Sequence, residues 1–197
     1  MILLNAIAQA MELVGVVEIY QRCKFNTSKG NKLKQELIKL GYVLSLSIKI
    51  SSGRGGKTTI LILIDKAWEA IGYQKPKMFG KGGEYHKKFV SQIAHYLRIK
   101  KYNPLIEYNL QGKQIDVVFE KDNQLIGIEL EMSELSIPHA VTNYQKDTEV
   151  GVNHVIFITP TLKLKKQLAK KILSEVQNPP KKISFMTLGE FITQQEI

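Results

Sequence analysis

Three carboxylates stand where the chain is otherwise at its most apolar. Within residues 114–133, Asp116 interrupts the run Ile115, Val117, Val118 and Phe119, while Glu129 and Glu131 fall at the end of a second run from Leu125 to Leu130. Lys121-Asp122-Asn123 forms a polar turn between them, so the pattern reads as two strands of a hairpin. Alternate residues of a strand share a face. Glu129 and Glu131 therefore point the same way, and pairing of the strands brings Asp116 to that face as well. Like charges held so close repel one another. Carboxylates crowded at a partly buried place usually hold a cation, and hard oxygen ligands suit Mg²⁺ or Mn²⁺. One such carboxylate would fit a solvated sheet edge; three among Ile, Val, Leu and Phe point to a site.

Several elements must position those groups. A helix is expected over residues 84–100 from the spacing of Phe89, Val90, Ile93, Ala94 and Leu97. Strands follow at 105–110, 113–120 and 125–131, then a helix from Pro138 to about Glu149. A strand at 155–159, a basic amphipathic helix at 163–176, a strand at 183–186 and a short helix at 188–193 complete the order. Such an alternation predicts a mixed three-layer α/β domain. The stretch 73–83, with proline, glycines and lysines and no periodicity, reads as a linker, so the domains are set at 1–78 and 79–197.

The order α-β-β-β-α-β-α with acids at these places resembles the PD-(D/E)XK nuclease superfamily, the restriction-endonuclease-like fold, over about residues 80–187. In that family a helix supplies an acid, the second core strand an Asp, and the third strand an acid-x-Lys pair. The resemblance implies Glu84 on the helix, Asp116, and Glu129-Leu130-Glu131, with Asn143, Gln145 and Lys146 available on the following helix. It implies a Mg-dependent deoxyribonuclease in which Glu84, Asp116, Glu129 and the Leu130 carbonyl hold Mg²⁺ or Mn²⁺. Glu131 stands where lysine is usual. It could serve as general base or toward a second metal, with Lys146 restoring the positive charge. Cutting both strands of a duplex suggests a homodimer, and a nuclease subunit working beside a partner ATPase or another mobile-element protein is a further reading.

Other chemistries find less in the sequence. His86 projects about 200° from Glu84 on a helix, which argues against shared ligation. His95, His139 and His154 have no His or Cys partner at metal spacing. Ser133 and Ser136 lack a paired His for nucleophilic catalysis. Residues 53–58 approach a phosphate-binding loop, but Ser51 stands where that loop needs glycine, and the residues after it read as a strand rather than a helix.

The first 75 residues carry three short helical patterns, at 2–14, 16–23 and 29–40, then strands at 43–50 and 58–64 flanking a glycine-rich basic tip. A closing helix is expected at 65–72. This order resembles the winged helix-turn-helix family. The resemblance implies a third helix that presents Lys29, Asn31, Lys32 and Gln35 to the DNA major groove, with Arg54 and Lys57 of the wing reaching phosphates or the minor groove. Residues 1–78 hold 12 basic and 5 acidic side chains, most of the chain's net charge of +10, and that excess favours a polyanionic partner.

In its 197 residues the chain has one cysteine, Cys23, which excludes an internal disulfide framework, and no apolar run near the roughly 20 residues of a membrane span. No basic residue precedes the first apolar ones and Glu12 follows soon after, against a signal peptide. The expectation is a soluble cytoplasmic protein: a DNA endonuclease targeted by a winged helix. The alternative is a non-catalytic DNA-binding protein, a regulator or mobile-element factor, whose nuclease-like fold is a platform.

Overall fold

The structure is a computed structural model that describes residues 1–10, 14–49, 57–76, 82–176 and 179–194. It is a mixed α+β protein. The described residues divide into two compact units, one of residues 1–48 with 57–76, the other of residues 82–194.

In the first unit α1 (Ile2–Ala8), α2 (Val16–Arg22) and α3 (Thr27–Lys39) precede a two-stranded sheet of β1 (Val43–Lys49) and β2 (Lys57–Leu63), and α4 (Asp65–Ile71) follows. Helix α1 is shorter than the periodicity of residues 2–14 predicts, and residues 11–13 lie outside the described ones. Helix α3 begins where the Asn26 side chain accepts from the Lys29 N–H at 2.8 Å, satisfying one of the donors a helix start leaves open. It is held close to α2 by a glycine. A Cβ at Gly30 would lie 2.4 Å from the ring of Tyr20, which is itself buried. Leu3, Leu4, Ile19, Tyr20, Val43 and Leu63 are among the residues that form this unit's core.

The second unit is built on a five-stranded mixed sheet. Its strands are β3 (Leu105–Leu110), β4 (Lys113–Lys121), β5 (Gln124–Leu130), β6 (His154–Thr159) and β7 (Lys182–Thr187), in that spatial order. The first three are antiparallel and the last two join in parallel. Short turns make the antiparallel links. Lys121 pairs with Gln124, so the β4–β5 turn is the two residues Asp122 and Asn123, both left-handed with φ of 52° and 57°. That conformation matches the twist of the flanking strands and suits Asp and Asn. The parallel links need crossovers, supplied by α6 (Ile137–Glu149) and α7 (Leu162–Glu175).

Helices α6 and α7 pack on one face of the sheet, around Tyr144, Val155, Phe157 and Leu168. The alternate residues Phe119, Ile126, Ile128, Ile156 and Ile158 are buried too. By the alternation of strands these form the other face, which α5 (Glu84–Ile99) and α8 (Leu188–Thr193) cover. Tyr96 of α5 meets Phe191 of α8 edge-on at 5.5 Å.

The sheet is irregular at Asp116. The β3–β4 ladder pairs Ile106 with Val117 and Tyr108 with Ile115, and skips the position between, where Glu107 opposes Asp116. Glu107 is left-handed, φ 48°, a conformation uncommon for a residue with a Cβ. Ladder interruptions of this kind bend a strand and re-aim a side chain.

Candidate functional site

The site is assembled from the middle of β4, the end of β5 and the faces of α5 and α6. The register that pairs Val117 with Ile128 brings Asp116 level with Glu129 on the neighbouring strand. Asp116 Oδ2 accepts the Leu130 N–H at 2.8 Å and lies 3.2 Å from His86 Nε2, so the strand interruption turns this carboxylate toward β5 and the start of α5. Glu129 is 5% exposed, and its Oε1 accepts from Lys146 Nζ of α6 at 2.9 Å. The same ammonium donates to the Gln114 carbonyl oxygen and approaches Asp147 Oδ1 at 3.3 Å. Glu131 lies just beyond the strand, its N–H bonded to the Ile158 carbonyl at 2.9 Å. Its Oε1 accepts from Asn143 Nδ2 at 3.4 Å, one turn of α6 before Lys146. Both glutamates therefore reach α6.

Electrostatics follow from crowding and burial. Desolvation first, then the charges of Asp116 and Asp147, raise Glu129 well above the ordinary carboxylate range, against the pull of Lys146. Desolvation also raises Asp147 to about 6, with Lys146 opposing the shift and Asp116 adding to it. Glu131 is raised by burial and by Asp116, while Ser136, Asn143 and His86 draw it down. Lys146 loses hydration, which would lower its pKa, but Glu129 and Asp147 more than offset that and leave it raised. The cluster is one coupled electrostatic unit.

Among the residues singled out by sequence, Asp116, Glu129, Glu131 and Lys146 come together. Glu84 is the first residue of α5, and His86 of the same helix meets Asp116 at 3.2 Å. Among the described residues no three His, Cys, Asp or Glu side chains are grouped so as to hold a metal ion. The donor set itself, carboxylates and a strand carbonyl, is hard oxygen and fits Mg²⁺ or Mn²⁺ in kind. Sequence reasoning missed Asp147 and the Gln114 carbonyl. Asp147 had a signal: it falls on the buried stripe Ala140, Tyr144, Asp147 of α6, where an ordinary amphipathic helix is apolar.

The candidate DNA contacts are less uniform than their sequence suggests. Lys32 and Gln35 are exposed on α3, and Lys57 is exposed on β2. Lys29 is exposed but sits over the Phe25 ring at 4.5 Å, and Asn31 Oδ1 accepts from the Tyr20 hydroxyl at 3.1 Å. Asn31 thus has a part in joining α2 to α3. Arg54 lies outside the described residues. On α7, Lys163, Lys165 and Lys171 are engaged by Glu134, Glu190 and Glu175.

No protein-family model matches the chain, and no curated protein is similar to it. Among solved structures, the crystal structure of a protein of unknown function, AF1548, is similar over 48% of this chain, at 16% identity and a TM-score of 0.35. The match spans 56% of that protein's own length. Within the described residues no helix is long and apolar enough to cross a membrane.

Proposed function

We propose that the second unit is a PD-(D/E)XK-like nuclease domain that hydrolyses DNA phosphodiesters with Mg²⁺ or Mn²⁺, and that the first is a winged helix that delivers it to DNA. The observation that carries the reading is the pair Asp116 and Glu129, level on adjacent strands, with Lys146 beside them. A sheet that buries a glutamate at 5% exposure accepts a large desolvation cost, and such sites are usually retained for function.

The residues that would hold the ion are Glu84, Asp116, Glu129 and the Leu130 carbonyl. Bound there, it supplies Lewis-acid polarisation of the phosphate and a water acidic enough to attack near neutral pH. The rest falls to the chain. The Leu130 N–H and His86 fix the Asp116 carboxylate in orientation. Glu131, held by Asn143, is the proton acceptor in reach of the acidic cluster, its pKa raised toward the range a general base needs. Lys146 supplies the positive charge that the family's acid-x-Lys pair provides from the strand. The exposed Lys32, Gln35 and Lys57 contact DNA, and a homodimer cuts both strands of a duplex.

The test is incubation of wild type and Glu129→Ala with plasmid, linear, single-stranded and four-way-junction DNA in Mg²⁺, Mn²⁺ or EDTA. Metal-dependent cutting that disappears in the variant is the expected result; cutting that survives in the variant overturns the site assignment. One observation favours a second reading, a non-catalytic DNA-binding platform: the buried Glu129 already pairs with the Lys146 ammonium at 2.9 Å. That reading expects DNA binding by both proteins, indifferent to metal, with no cutting. A subunit dependent on a partner ATPase expects cutting only when the partner is added.

A further inference from the structure

Glu129 already has a cation. Lys146 Nζ stands 2.9 Å from its Oε1 and 3.3 Å from Asp147 Oδ1, and donates to the Gln114 carbonyl besides. The side chains of these three charged residues are 6%, 17% and 0% exposed for Glu129, Lys146 and Asp147, so the contact is made inside the protein. We propose that Lys146 fills the cation position at Glu129, that a divalent ion reaches this carboxylate only as Lys146 moves onto Asp147, and that Asp147 is the positioning residue keeping the lysine within the site. The inference rests on the assignment of Glu129 as a metal-holding carboxylate.

Three features carry it. An ammonium and a divalent ion compete for the same oxygen of Glu129, and the lysine, a compact charge on a flexible four-carbon stem, is the one able to relocate. Asp147 gives it somewhere to go. This aspartate is fully buried on the apolar stripe of α6, and neither of its oxygens has a hydrogen bond of good geometry. A carboxylate in that state is costly unless a positive charge stays beside it, and Lys146 is the ammonium within reach. The surroundings agree: Asp116 and Asp147 lie close enough to Glu129 for their charges to act on it, so a cation is favoured among the three carboxylates.

Mn²⁺ binding to the full chain, followed by the electron paramagnetic resonance of the free ion, tests the proposal in wild type, Lys146→Met and Asp147→Asn. Lys146→Met should bind Mn²⁺ about tenfold more tightly than wild type, because its competitor is gone, a coupling of ordinary size. Asp147→Asn should bind it more weakly than wild type, because the lysine has lost its alternative partner. Equal or weaker binding by a folded Lys146→Met overturns the proposal. Removing the lysine leaves two buried acids and could prevent folding, so wild type provides an independent measurement. Its Lys146 side-chain resonances in a lysine-labelled sample should move when Mg²⁺ saturates the protein. Mg²⁺-induced changes at the Leu130 amide without any change at Lys146 also overturn it.

The outcomes separate this inference from the nuclease reading. Cutting with no difference in Mn²⁺ affinity among the three proteins leaves the nuclease standing and removes the competition. The expected affinities without cutting do the reverse. No binding of Mn²⁺ by any of them removes both.

Discussion

The first unit wears its charge and the second swallows it. Lys29, Lys32, Gln35 and Lys57 are exposed, and among the described residues of the first unit no charged side chain is buried. In the second unit Glu129, Glu131 and Asp147 are all buried, Glu129 and Asp147 beside Lys146 and Glu131 beside Asn143. Surface charge costs little to place and little to exchange, and its effect on a polyanion is long-ranged and screened by salt. Buried charge is paid for in desolvation and persists only with specific partners. The difference separates two kinds of recognition: a diffuse field that attracts, and a fixed constellation that can act.

The comparison is most exposed at Glu129. Glu129→Ala should lower metal-dependent cutting at least about 100-fold, the loss typical of deleting one preorganised charge contact, while DNA retention in a gel shift stays within about twofold. Loss of both together would mean that the two units do not divide the work.

Asp147→Asn sharpens the same contrast through pH. Asp147 has a folded pKa of about 6 against an ordinary 3.8, so the folded state binds the proton more tightly than the unfolded one. Its contribution to stability is full below the unfolded value and is lost as pH rises through the window from about 4 to 6. The asparagine variant lacks this loss. Its stability relative to wild type should therefore improve between pH 4 and pH 7 by an amount approaching about 3 kcal/mol, measured from urea midpoints at each pH.

Gly30→Ala probes the first unit where it is packed rather than charged. The added methyl would lie 2.4 Å from the Tyr20 ring, so α3 must shift, at a cost of about 1–3 kcal/mol read by thermal unfolding of the first unit. Cutting of short DNA at low salt should survive under conditions where that unit remains folded. The smallest effect is expected at the surface. Lys32→Ala should weaken DNA binding by a few-fold, reduce the salt slope by about one, and leave stability within about 0.5 kcal/mol.

Much of the secondary structure is legible locally. The β3 strand is found where alternation predicts it, Asn26 starts α3, and Gly72 ends α4 in a left-handed cap with φ 68°. The turn after β4 is one residue shorter than the polar run predicts, because the identity of a polar residue does not reveal whether it pairs, and Lys121 does. Asp116 and Glu129 are visible because carboxylates break the apolar pattern of strands. Asp147 breaks the pattern of a helix in the same way, but its neighbours Lys146 and Glu149 make it look like one more surface charge.

By itself, then, the sequence determined the elements, their order and the acidic pair, since these rest on periodicities of two and 3.6 residues and on turn chemistry, all short-range. Only the tertiary structure decided who meets whom. Asp116 finds the Leu130 N–H 14 residues away and His86 30 residues away, and Lys146 finds Glu129 across 17. Helix α5 could have turned His86 away from the sheet with the same periodicity, and α6 could have turned Lys146 outward on its long stem. The packing angles of those helices chose between the options, and packing is set by the whole core at once rather than by any stretch of chain.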